Sequence, residues 1–236
     1  MLERLALVRL SPRRILDAGS GPPQRALIRR YPEARVIAVD FSVEMLRASR
    51  FGWFQKRPMT ACGDLAQLPL AEASVDLVWC NMALHWVADP LAALRELQRV
   101  LAPEGLLMFS TLGPDTLKEL RAAGGEARVH AFIDMHDLGD MLLECGFSAP
   151  VMDMEMLHIA YRSPEALLDD LRRSGQTLAR LDRARGLAGR RFAAGLRAAL
   201  GAAPRASFEI VYGHAWKAAP RAVSDAKTIR FQRHIS

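Results

Sequence analysis

Asp17, Asp40 and Asp64 stand 23 and 24 residues apart, and each lies at the end of a short apolar run. That rhythm constrains the fold more than any other feature, because helical patterns separate the runs. Residues 14–18, 35–39, 59–62, 75–80 and 106–111 read as strands. Residues 24–31 and 43–49 read as helices, with Ser42 placed as an N-cap, and Asp89-Pro90 opens a third helix running to about residue 101. Pro103-Glu104-Gly105 reads as a turn. Strict alternation of strand and helix predicts parallel strands joined by crossover helices. The runs are continuously apolar rather than alternating, as expected of a sheet covered on both faces.

The second half has a different pattern. Residues 115–123 and 135–145 read as helices, the latter closed by Gly146. Residues 151–161 read as a long strand, 164–174 and 185–200 as two more helices, and 208–216 as a final strand. The expected architecture is α/β: a Rossmann-like, mostly parallel seven-stranded sheet with helices on both faces and a helical insertion before the last strand. Residues 1–216 would form one domain, with a ligand-binding half at 14–111, a substrate and partner half at 112–216, and a loose tail at 217–236. The first ten residues read as a short amphipathic helix, since charges interrupt their apolar part.

Composition excludes several classes. No run of 18 apolar residues is present, so no membrane span is expected. Cys62, Cys80 and Cys145 are odd in number and lack metal-ligand spacing, which argues against a disulfide framework or a metal site and for a reducing compartment, the cytoplasm by default. The formal net charge is +6, and the segment from Arg162 to Arg205, with ten arginines against four acids, carries all of it. Such a segment is either a solvated helical surface or a docking face for an acidic partner.

Four features can carry chemistry. Asp17-Ala18-Gly19-Ser20-Gly21 follows the first strand and opens a helix, and its small residues let a ligand approach the backbone. Asp40, followed by Phe41, ends the second strand, where an acid can bond both hydroxyls of a ribose. Gly63-Asp64-Leu65 follows the third strand, where a carboxylate can accept from the exocyclic amine of adenine. Asn81 to Trp86 follows the fourth. Ligands of open α/β sheets bind just past the carboxyl ends of the strands, and all four features lie there. Taken singly, each has an ordinary reading: a capping acid, a turn residue, an Asx-turn, a core tryptophan. Their joint order is what points to a nucleoside site. A nicotinamide site fits less well, because G-x-G-x-x-G fails at Gln24.

These motifs resemble those of class I S-adenosylmethionine-dependent methyltransferases. The matching stretches are 15–21, Val39-Asp40, Gly63-Asp64 with Leu68-Pro69-Leu70, residues 76–81, and the helix–turn–strand of residues 94–107. The resemblance implies S-adenosyl-L-methionine as cofactor and S-adenosyl-L-homocysteine as product. It places Gly19 and Gly21 at the methionine portion, Asp40 at the ribose, Asp64 at the adenine, and Asn81 and His85 near the transferred methyl. Residues 109–121, 134–140, 146–154 and 209–216 are similar to the malonyl-acyl-carrier-protein O-methyltransferases of biotin synthesis. Those second-half motifs also resemble a methyltransferase-like respiratory complex I assembly factor linked to arginine hydroxylation.

The first family implies a malonyl carboxylate as methyl acceptor, delivered by an acidic acyl-carrier protein that would dock on the segment from Arg172 to Arg205. The acceptor carboxylate would be oriented by cations or donors, and Lys118, Arg121, His136 and Arg162 are the candidates. Two departures from the pattern stand out. Gly21 is followed by Pro22-Pro23, which removes backbone N–H donors where the cofactor would sit. The chain also starts only about one helix before its first strand, where the family has a longer segment. The alternatives are a methyltransferase-fold protein with weakened or lost cofactor binding, acting in assembly or as a hydroxylase-like factor, and a nucleic-acid methyltransferase. The latter is disfavoured, because no aromatic residues interleave with the arginines.

Overall fold

The protein is described here from a computed structural model, which defines residues 1–22, 25–48, 51, 56–124, 129–175 and 189–219. Seven strands form one sheet: β1 (Arg14–Ala18), β2 (Arg35–Asp40), β3 (Met59–Cys62), β4 (Val75–Asn81), β5 (Leu101–Leu112), β6 (Phe147–Ala160) and β7 (Arg205–Lys217). Their order is β3-β2-β1-β4-β5-β7-β6. The first five run parallel, and β7 is antiparallel to both β5 and β6. The expected α/β architecture, with its predominantly parallel seven-stranded sheet, is therefore the one observed.

Each predicted helix is present over its described residues; residues 24, 49 and 185–188 of the expected helices lie outside them. The helices are α1 (Leu2–Ala6), α2 (Arg25–Arg30), α3 (Val43–Ala48), α4 (Pro90–Val100), α5 (Lys118–Gly124), α6 (Met135–Glu144), α7 (Pro164–Arg173) and α8 (Arg190–Leu200). Ser42 Oγ accepts from Met45 N at 3.2 Å at the start of α3, and the Asp89 carboxylate accepts from Ala92 N at 2.9 Å at the start of α4. Both are N-cap bonds of the predicted kind.

The sheet is covered on both faces. On one, Leu16, Val78, Leu107 and Phe109 pack against Leu94 and Leu97 of α4 and Leu138 and Leu142 of α6. On the other, Ile15, Leu77, Leu106 and Met108 pack against Leu5 of α1 and Leu27 of α2. The alternate neighbours Ile15/Leu16, Leu77/Val78 and Leu106/Leu107 are all fully buried, which is why these strands carry consecutive rather than alternating apolar residues. A third cluster (Leu117, Val129, Leu167, Leu171 and Ala206) fixes the helical insertion against the start of β7.

Three boundaries differ from expectation for identifiable reasons. The Pro103–Gly105 turn is a bulge inside β5: Val75 pairs with Leu101, Leu77 with Leu106, and Glu104 has a φ of 61°. β6 starts at Phe147 rather than 151, with a register shift between Ser148 and Val151 that accommodates Pro150. α5 starts at Lys118 rather than 115 because residues 113–117 bond to β7 instead: Leu117 N donates to Ser207 O, and Thr116 Oγ1 donates to Glu209 O. Among the described residues no helix is long and apolar enough to cross a membrane.

Candidate functional site

Because β1 to β4 are parallel, their carboxyl ends share one edge of the sheet. The loops leaving that edge enclose an open cleft of about 710 Å³. Gly19, Gly21, Asp40, Phe41, Gly63, Asp64, Leu65 and Asn81 all line it. The sequence separates these residues by up to 62 positions, and the sheet brings them together. Asp17 is the exception in that set. It is buried at 1% exposure and lies outside the lining.

The glycine loop is shaped by backbone conformation and close packing. Gly19 and Gly21 have φ values of +63° and +54°. A Cβ at Gly19 would stand 2.2 Å from Ala83 Cβ, so the loop approaches the segment after β4 more closely than any side chain permits. Its donors are largely used internally. Ser20 N donates to Val39 O at 3.0 Å, Gly21 N donates to Asp40 Oδ2 at 2.7 Å, and neither Pro22 nor Pro23 has an N–H. The loop therefore offers a ligand a close, smooth wall rather than a ring of donors. Pro23 and Gln24 lie outside the described residues.

Asp40 is held at both oxygens. Oδ2 accepts from Gly21 N, and Oδ1 accepts from Ser42 N at 2.8 Å. An ionised carboxylate has about four acceptor sites, so each oxygen retains capacity for one further donor. A vicinal diol supplies two. Asp64 accepts from Ala66 N through Oδ1 at 2.9 Å, an Asx-turn that leaves Oδ2 unbonded among the described residues. Both aspartates line the same cleft. Phe41 is 80% exposed and Trp86 44% exposed, and both rings border the cleft, where a planar apolar ligand would cover them. A nucleoside thus matches the donors, acceptors and apolar surface available.

Ser110 on β5, buried and outside the lining, organises the end of β4. Its hydroxyl donates to Asn81 Oδ1 at 3.0 Å, and its carbonyl accepts from Met82 N at 2.9 Å. Met82 has a φ of 55°, a strained conformation for a residue with a side chain, and it borders the cleft. Met82 falls within the Asn81–Trp86 feature read from the sequence, whereas Ser110, Met45 and the stretch from Val87 to Asp89 were missed. Only the positions of Met45 and Val87–Asp89, just past the ends of β2 and β4, could have indicated them.

His85 lies elsewhere. It lines a smaller chamber of about 210 Å³ beside the cleft, together with Thr111 and Phe132, and Val87 and Ala88 border both spaces. Burial first, and neighbouring His130 second, push the His85 imidazole down to about 4. The four residues expected to orient an acceptor are dispersed, and none lines the cleft or the chamber. Lys118 pairs with Asp115 at 2.9 Å. Arg121 donates to the carbonyls of Pro114 and Thr116, closing the loop before α5. His136 pairs with Asp134, the N-cap of α6. Arg162 borders a separate surface hollow beside α7. Among the described residues no cluster of His, Cys, Asp or Glu could hold a metal ion.

Comparison with known proteins agrees with this geometry. A family model described as "Methyltransferase domain" matches residues 16–109, the segment that builds the cleft. The malonyl-acyl-carrier-protein O-methyltransferase of Gallionella capsiferriformans is 47% identical over 97% of this chain and 85% of its own length. That of Laribacter hongkongensis is 47% identical over 94% of this chain and 81% of its own. The YcgJ protein of Bacillus subtilis superposes with a TM-score of 0.67 at 17% identity, covering 92% of this chain and 97% of that one, which shows the shared fold. The chain belongs to the malonyl-acyl-carrier-protein O-methyltransferase family of class I methyltransferases.

Proposed function

We propose that the protein transfers a methyl group from S-adenosyl-L-methionine to the free carboxyl of a malonyl group carried on acyl-carrier protein, in biotin synthesis. The observation that carries the reading is the pairing of Asp40 and Asp64 in one cleft, each with unused acceptor capacity. Asp40 would receive the ribose hydroxyls and Asp64 the adenine amine, with the adenine lying along Phe41 and Leu65. Gly19 and Gly21 would let the methionine portion pass close to the backbone, and the Asn81 amide would face the reacting end. Asp17, below the lining, would support the loop from beneath. When bound, the cofactor supplies an electrophilic methyl on a sulfonium, so the protein needs no general base for an acceptor that is already ionised. Its residues hold the two reactants in line and exclude water.

The carrier protein is the finer part of the proposal. An acidic carrier would dock on the arginine-rich segment from Arg172 to Arg205. Within it, Arg173 pairs with Asp169 at 2.8 Å and Arg197 with Glu165 at 2.6 Å, so these two are partly neutralised. Residues 176–188 lie outside the described residues. The relatives at 47% identity favour this reading over an assembly factor or a nucleic-acid methyltransferase. The test is transfer of labelled methyl to malonyl-acyl-carrier protein. The expected product is a base-labile methyl ester on the malonyl group. Absence of ester while cofactor binds would refute the acceptor assignment.

A further inference from the structure

The four candidate cations are engaged or remote, and the space beside the cofactor cleft has a different character. The chamber shared at Val87 is walled by Leu84, Phe132, Ile133 and Leu138, with Thr111 and His85 as its polar side chains. No lysine or arginine lines it among the described residues. His85 is uncharged at neutral pH, for the reasons of burial given above. Thr111 Oγ1 lies 3.4 Å from His85 Nδ1. The Thr111 hydroxyl can donate to a bare Nδ1, and in that tautomer the ring proton sits on Nε2. Nε2 is buried and meets no hydrogen-bond partner among the described residues. A buried donor left in that state carries its full desolvation penalty, so a site that keeps one gains when a ligand supplies the acceptor.

We propose that this chamber seats the carboxylate of the methyl acceptor, held by the imidazole N–H of His85 and not by a cationic side chain. The proposal rests on the methyl-transfer reading and deepens it. The chemistry gives a reason for the missing cation. In the transfer, a lone pair of the carboxylate oxygen forms the C–O bond. The C–S bond breaks, and its electron pair stays on sulfur. A negative oxygen and a positive sulfur become a neutral ester and a neutral thioether, and no proton moves. Charge disappears along the reaction, so a weakly polar chamber destabilises the separated ions more than the transition state. A lysine or arginine on the carboxylate would do the opposite, stabilising the ground state and blunting the nucleophile. A single uncharged donor orients the group without that penalty.

The test compares wild type with His85→Phe and His85→Gln in the full chain. S-adenosylhomocysteine affinity, read by calorimetry, is expected to stay within about twofold in both variants, since His85 lies outside the cofactor cleft. Loss of one hydrogen bond to a charged group lowers kcat/KM for malonyl-acyl-carrier protein by about 10- to 100-fold in the Phe variant. The Gln amide, which can donate from a similar reach, restores most of it. In parallel, the imidazole nitrogens of wild type are followed by NMR in the S-adenosylhomocysteine complex. Adding malonyl-pantetheine is expected to shift Nε2 of His85, and adding its methyl ester is expected not to. A Phe variant at the wild-type rate, a Gln variant as slow as Phe, or no Nε2 shift with malonyl-pantetheine would each overturn the assignment. If wild type makes no ester at all, the acceptor reading fails on that result, while the Nε2 shift still decides whether the chamber receives a carboxylate.

Discussion

At Gly19 the chain leaves β1 with a φ of +63° and passes so close to Ala83 that a methyl group would sit 2.2 Å from it. Two independent penalties therefore fall on Gly19→Ala: a left-handed backbone, about 1–2 kcal/mol for a residue with Cβ, and a clash that must push the loop or the β4 end aside. The variant is expected to lose at least about 2 kcal/mol of stability in urea unfolding and to bind S-adenosylhomocysteine poorly. An unchanged midpoint would show that the loop is not constrained as described. Single residues at strand ends were legible because their position in a parallel sheet fixes where they go: Asp40, Asp64 and Asn81 all reach the cleft. His85 was not legible in the same way. It is four residues past Asn81, in a 3₁₀ turn spanning Leu84–Trp86, and that turn carries it out of the cleft into the adjoining chamber. The cations failed to converge for a local reason. Lys118 and His136 each find a carboxylate two or three residues away, a pairing visible only after the helix ends are known.

The elements themselves were read more easily than their boundaries. Strands β1, β2 and β4 are short, mostly apolar and bounded by turn residues, so burial on both faces wrote them into the sequence. The segment between β5 and α5 was misread because a tertiary bond overrides its helical pattern. Glu209 on β7 is 5% exposed, and its carboxylate accepts from Asp115 N at 2.7 Å. Gly113 leaves room for it, since a Cβ there would lie 2.3 Å from the carboxyl carbon. Replacing Glu209 with Ala would strand the Asp115 N–H and empty the space, at a cost of about 1–3 kcal/mol. The expected reading is a lower urea midpoint with an unchanged slope. Equal midpoints would mean that the loop stands without this anchor.

For the whole molecule, the sheet order puts the antiparallel β7 and the edge strand β6 on one side and the four loops of the cleft on the other. The first half thus builds the cleft from strand ends and supplies Thr111 to the chamber beside it, and the second half supplies Phe132 and Ile133. A ligand filling the cleft would stabilise the fold as a whole, by about 2.7 kcal/mol at a hundred times its dissociation constant. Cofactor binding by the Asp40 and Asp64 cleft is tested most directly by a calorimetric titration of S-adenosylhomocysteine into the wild-type protein and into Asp40→Ala. Wild type is expected to bind saturably at one-to-one stoichiometry, and the variant at least about tenfold more weakly, the equivalent of about 1.4 kcal/mol. Wild type that takes up no ligand at millimolar concentration, or a variant that binds as tightly as wild type, would contradict that role of the cleft.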